Sequence, residues 1–367
     1  MTSSCPAPGP TRFRASIVRL GTTLFLAGGL ALVAAPASAH ERWFAEPADG
    51  GDWAFFASPP ALGAALAVVV VAVVWRLAAA RLPRPELPFL APLGRLAPYV
   101  PRLLAVHLGV ALLALAVTGS FLSPAVPLED VPGGALAGVV EAVIGIWLVT
   151  GVRLRAAAVG VALLGPFALL AAGPVAVLEN AAILGIAAFL AVVPPSDGTF
   201  GRVDPSPERL RVAVLLLKSL VAVTLVTLAF SEKFTNPGLA RNTLEAYPEL
   251  DVLALVGVQV PVDTFVVVAG AVELLFGLLV LSGALPQVAT LVAMVPFNAT
   301  LLLFGTTEVI GHLPVYGLFL TLLVYGSNPV TAPAVAWLPS RAELGGLAGR
   351  LRGGDRVEPA PVGTPAA

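Results

Sequence analysis

The sequence predicts an all-α, polytopic transmembrane bundle of about nine membrane helices behind a signal peptide, built as two tandem, parallel four-helix repeats. Three observations predict it. Hydrophobic residues make up 57% of the 367-residue chain and charged residues only 12%, about half the charge of an ordinary soluble domain. Nine apolar stretches approach the ~20 residues that cross a bilayer. A set of residues recurs at a fixed spacing. The net charge of −1 excludes a generally basic nucleic-acid binder. Cys5 is the only cysteine, which excludes thiol relays, Cys-ligated zinc and intramolecular disulfides.

Residues 1–39 read as a secretory signal. Arg12, Arg14 and Arg19 precede the apolar run Leu20 to Val33, and Ala37-Ser38-Ala39 forms a small-residue cleavage site. Cleavage makes His40 the first residue, whose amine and imidazole suit Cu(II). His40 is therefore a weak metal candidate. Glu41-Arg42-Trp43-Phe44 reads equally as a stretch seated at the membrane surface. No metal is predicted elsewhere.

Residues 40–99 hold a short external segment, one transmembrane helix at 60–79 and an inner linker. A first four-helix unit at 100–208 carries spans at 103–122, 134–152, 156–173 and 176–194. A second at 209–326 carries spans at 212–231, 262–283, 288–304 and 309–326. Residues 327–367 read as a largely unstructured cytoplasmic tail, since the stretch from Leu338 is rich in Gly, Pro, Ala and Arg without apolar periodicity. With the mature N-terminus outside, 17 of the 21 basic residues fall on the inner face; Arg42, Lys233 and Arg241 lie outside and Lys218 within a span. That asymmetry predicts a multi-pass protein of the plasma (inner) membrane with a cytoplasmic C-terminus.

A shift of 132 residues lays Glu141 on Glu273, Gly145 on Gly277, Gly151 on Gly283, Gly173 on Gly305 and Gly185 on Gly317. A shift of 113 lays Phe121 on Phe234 and Pro124 on Pro237. Both units start and end on the inner side, as parallel repeats do.

Ionisable side chains inside a bilayer cost about 2.5–3.5 kcal/mol on insertion scales and mark functional sites by default. Glu308, His312 and Tyr316 are spaced four apart, on one helical stripe. Glu273 shares a face with Gly277, which admits a neighbouring helix. Packing of the two helices is expected to bring Glu273 to His312, as an acid–base pair for proton or head-group contact. Glu308, Tyr316 and Asn298 support it, and Glu232 and Lys233 border it. The same residues also read as a polar pin that fixes helix register. Asn180 stands where the second unit has His312, with Glu179 beside it, so the second unit is expected to be active and the first structural. Lys218 is expected to snorkel to the inner surface.

Ser231-Glu232-Lys233-Phe234-Thr235-Asn236-Pro237-Gly238, Val272-Glu273-Leu274-Leu275-Phe276-Gly277 and Gly311-His312-Leu313-Pro314 together resemble the DoxX/DoxD-like integral membrane proteins. The resemblance covers about 209–326, with 102–194 as a diverged second copy. It implies compact four-helix bundles and a redox setting with quinone as a possible cofactor and redox subunits as partners besides the lipid bilayer. Alternatives are a non-catalytic scaffold or assembly factor docking external partners, and a small-molecule transporter. The resemblance leaves open whether the protein is an enzyme.

Overall fold

The computed structural model describes residues 41–45, 51–193, 202–255, 257–340 and 343; residues 1–39, read above as a signal, His40 and most of 327–367 lie outside them. The described chain is helical. Its helices of ten residues or more are α1 (Pro59–Ala79), α2 (Val100–Thr118), α3 (Gly134–Thr150), α4 (Leu154–Glu179), α5 (Ala181–Val192), α6 (Pro207–Leu228), α7 (Pro237–Ala246), α8 (Val262–Ser282) and α9 (Pro286–Ser327). Six helical stretches are long and apolar enough to cross a membrane, and α3 and α5 are shorter apolar helices. Their outward faces carry large apolar side chains such as Leu66, Val74, Leu170 and Leu302. That much exposed hydrocarbon suits lipid, not water.

The span count differs from the expectation of nine for a geometrical reason. α9 runs 42 residues, which as a straight rod measures about 63 Å, twice a hydrocarbon core. It is not straight. Gly305 has φ 63° and ψ −135°, a conformation that only glycine adopts without strain. The helix folds back there, and its ends meet: Gln287 Nε2 donates to Ser327 Oγ at 2.7 Å. α4 breaks likewise at Gly173, with φ 81° and ψ 175°, and Arg155 near its start donates to Val192 O at the end of α5 at 3.4 Å.

Glycines mark the close helix crossings. Gly185 on α5 lies against Leu217 and Leu220 of α6, and Gly317 on α9 against Leu104 and His107 of α2. Gly145 on α3 approaches the Gly109 carbonyl of α2, and Gly277 on α8 the Ala222 carbonyl of α6. The missing side chains let the helices close to backbone contact. His107 uses its Nδ1 on Leu103 O at 2.8 Å, as a packing residue does.

One expectation is corrected at the end of the bundle away from Phe234. Lys218 does not reach for the surface: it is fully buried, and its Nζ donates to Val335 O at 2.7 Å and Trp337 O at 3.2 Å. Backbone carbonyls past a helix end are ready acceptors, and they hold this ammonium inside. The same contacts seat the start of the tail, where Ala332–Val335 forms a short helix. Arg76 adds a hydrogen bond to Ala336 O at 3.2 Å. The linker before α2 is helical as well, over Pro88–Tyr99.

Candidate functional site

α6 changes to a π-helical turn over Ala229–Phe234. The wider turn re-aims side chains, and such turns cluster at functional sites. Here it turns Glu232 and Lys233 inward, and both are buried. Asn236 then caps α7 by accepting from Leu239 N at 3.4 Å, and Pro237 opens the new helix. The run Ser231–Gly238 is thus one helix end and the next helix start.

Lys233 is the hub. Its Nζ lies 3.2 Å from Glu273 Oε2 on α8, 3.3 Å from Glu41 Oε1 and 3.5 Å from Glu232 Oε2. Gly270, one turn before Glu273, admits the Lys233 Cβ and the Phe234 ring. Glu232 in turn accepts the backbone N–H of Glu41 at 3.1 Å and of Arg42 at 3.5 Å. Arg42 donates to Ser231 O at 3.1 Å, and its Nε lies 3.2 Å from Glu179 Oε1. Ser231 Oγ donates to the same Glu179 oxygen at 2.6 Å. Four carboxylates, Glu41, Glu179, Glu232 and Glu273, therefore surround two cations, Lys233 and Arg42.

The arm Glu41–Ala45 continues onto the last helix. Trp43 packs on the His312 ring with centroids 5.3 Å apart. A side chain at Gly311 would overlap the Trp43 indole, so the glycine is the seat of the ring. Phe44 stacks on Phe304 at 4.1 Å, and Tyr247 meets Phe304 edge-on at 4.9 Å. His312 Nδ1 lies 3.2 Å from Glu308 Oε1, one turn earlier on the same helix.

The structure thus draws most of the expected residues to one end of the bundle but pairs them differently. Among the described residues Glu273 meets Lys233, and His312 meets Glu308; the expected Glu273–His312 pair is replaced by these two. Position on a helix face cannot reveal an intervening chain segment, and the arm is that segment. Glu232 and Lys233 are central, not a border. Asn298 lies apart: it is exposed, and its Nδ2 donates to Met294 O of its own helix at 2.6 Å. Tyr316 is half-buried against Phe319, and its hydroxyl has no hydrogen-bond partner among the described residues. His40 lies outside the described residues. Glu41, Arg42 and Trp43, read from sequence as a surface stretch, are built into the site, and Glu179 joins it from the end of α4. Their one sequence signal is two charges followed by two aromatics, Glu41-Arg42-Trp43-Phe44, shortly after a run of small residues.

The void bordered by Glu41 and Lys233 measures about 10 Å³, room for about one water. On the other side of the arm a cleft of about 310 Å³ opens between Arg42, Glu179, Asn180 and Asp130. Comparison of the chain with models of known protein families, with curated proteins and with solved structures finds no match.

Burial is the main force on the Glu41 carboxyl and pushes it up to about 8; Lys233 pulls the other way, and Glu232 and Glu273 add to the rise. A released arm in water gives up that proton near 4.5. Seating therefore gains from this group fully below 4.5 and loses the gain as pH rises through about 8. Hydrogen exchange of residues 41–45, corrected for the intrinsic rate, is expected to be markedly faster at pH 8.5 than at pH 5.5. Equal protection at the two values would refute the assignment.

Proposed function

We propose that the protein is a DoxX/DoxD-like component of a redox or quinone-linked system in the plasma (inner) membrane. In this reading the mature N-terminus is outside, the C-terminus is inside, and nine passes comprise one leading helix and two fused four-helix units. The excess of basic residues on one side supports the orientation. The duplication is supported by paired geometry. Breaks at Gly173 and Gly305, left-handed caps at Gly151 and Gly283, and left-handed Arg153 and Leu285 all fall 132 residues apart.

The observation that carries the functional reading is the buried acid–base network. Lys233 holds three carboxylates out of water, and the Glu41–Trp43 arm joins this group to the Glu308–His312 pair. Carboxyls and an imidazole shielded together, with space for a water, make a route by which protons enter or leave a dry site. The donors also suit a quinone carbonyl, but the room does not while the arm is seated, because Trp43 covers His312. A head group reaches the imidazole only in the place of Trp43.

The test is the quinone content of the purified full-length protein. Quinone is expected to co-purify and to fall several-fold in His312→Ala. Unchanged content in that variant would remove the head-group reading. Loss of a protein partner with quinone retained would favour the scaffold, a reading to which the docked arm lends weight because it shows how this end of the bundle receives a peptide.

A further inference from the structure

The two proposed units differ at the positions that receive the arm. Under the 132-residue shift, Phe304, Gly311 and His312 of the second unit correspond to Ala172, Glu179 and Asn180 of the first. In the second unit those three positions form the seat of two aromatic rings: Phe44 on Phe304, and Trp43 on Gly311 and His312. In the first unit the same three positions line the open cleft of about 310 Å³. Among the described residues, the arm fills one seat and no ring fills its counterpart.

We infer that this cleft is a binding site for a planar, ring-bearing amphiphile drawn from the membrane. The cleft has the volume of a small ligand pocket, and alanine in place of Phe304 makes the space a ring needs. Its walls are of two kinds. Pro127, Ala171, Val175 and Ala176 supply apolar surface for the ring faces, and Arg42, Asp130, Glu179 and Asn180 gather polar groups at one edge. Glu179 is held from behind by Ser231 and Arg42, so the edge is pre-organised. Asn180 uses its Nδ2 on Ala176 O at 2.9 Å, and among the described residues its amide oxygen is the acceptor that remains. A hydroxyl on the ring can donate to Glu179 or Asn180 while its oxygen accepts from Arg42. Beyond the ring, Val126, Ala172 and Ala176 also border a narrow apolar slot, about 30 Å³, that runs on past Phe121, Val161 and Ala168. This slot has room for a small apolar substituent on the ring.

The choice of a ring rests on the proposed correspondence between the units; the cleft itself does not. Both can be tested on the full-length, detergent-solubilised chain with a diazirine-bearing naphthol and peptide mapping. In the wild type, labelling is expected within residues 123–130 and 171–180, displaced by excess 1-naphthol. Label placed elsewhere, or label that the excess does not displace, overturns the site. Ala172→Trp restores a ring on the vacant wall and should cut labelling at least tenfold with the helical circular dichroism unchanged; undiminished labelling overturns the site. Should that variant not fold, the wild-type map decides alone. Trp43→Ala should add a second labelled region at 304–312. Its absence, with the first region still labelled, keeps the cleft and removes the correspondence between the units.

Discussion

Lys233→Met is expected to destabilise the protein by roughly 3–5 kcal/mol, the usual cost of removing one partner from a buried ion pair. The size of the effect follows from what is left behind. Methionine matches the length of the lysine stem, so packing against Gly270 and Phe234 is retained and the loss is electrostatic. Glu41, Glu232 and Glu273 would then face one another without their shared cation. Their outlets are to take up protons or to release the arm. Reversible unfolding in mixed detergent micelles measures the loss, and proteolysis at residues 41–45 reports the release. Glu273→Gln should cost distinctly less, because Glu41 and Glu232 still flank Lys233 and the amide keeps an acceptor for it. A Lys233→Met variant as stable as the wild type would mean that the network contributes no more than an exposed surface pair, for which values near 0–1 kcal/mol are normal.

How much of this was legible beforehand depended on whether a feature is written locally. Helices are, because apolar length and basic flanks are properties of contiguous residues, and so the stretches near 60–79 and 262–283 reappear as α1 and α8. The shared spacing of the glycines was legible, but the breaks within α4 and α9 were not, although a break such as that at Gly305 needs a residue without Cβ whatever surrounds it. Partners were not legible. Glu273 and His312 were both correctly suspected as buried polar groups, yet helical period says only which way a side chain faces, never what comes to meet it. Lys218 is the same case, since its acceptors are carbonyls 117 and 119 residues further on. The arm was the hardest to foresee. Four residues of mixed character carry no periodicity, and a Trp at a membrane edge is the commoner reason for such a run.

The arm gives the second large effect. Gly311→Ala is expected to expel Trp43 from the bundle, because the new Cβ would occupy the space of the indole while α9 holds the backbone in place. Overpacking of this kind typically costs 1–3 kcal/mol, and here the arm can relieve it by leaving. Its departure would carry Glu41 away from Lys233 and Arg42 away from Glu179, so one methyl group in the last helix should unmake ion pairs that it does not touch. Hydrogen exchange at residues 41–45 is expected to rise by at least tenfold in Gly311→Ala. Trp43→Ala alone removes the ring and its contacts with His312, leaving the backbone of the arm held by Glu232. The decisive measurement is the double variant. If the clash is between these two residues, Gly311→Ala combined with Trp43→Ala should protect the arm better than Gly311→Ala does, a rescue that independent effects cannot produce. Simple addition of the two losses would mean that Gly311 acts through the bend of its own helix, and that the indole is a bystander.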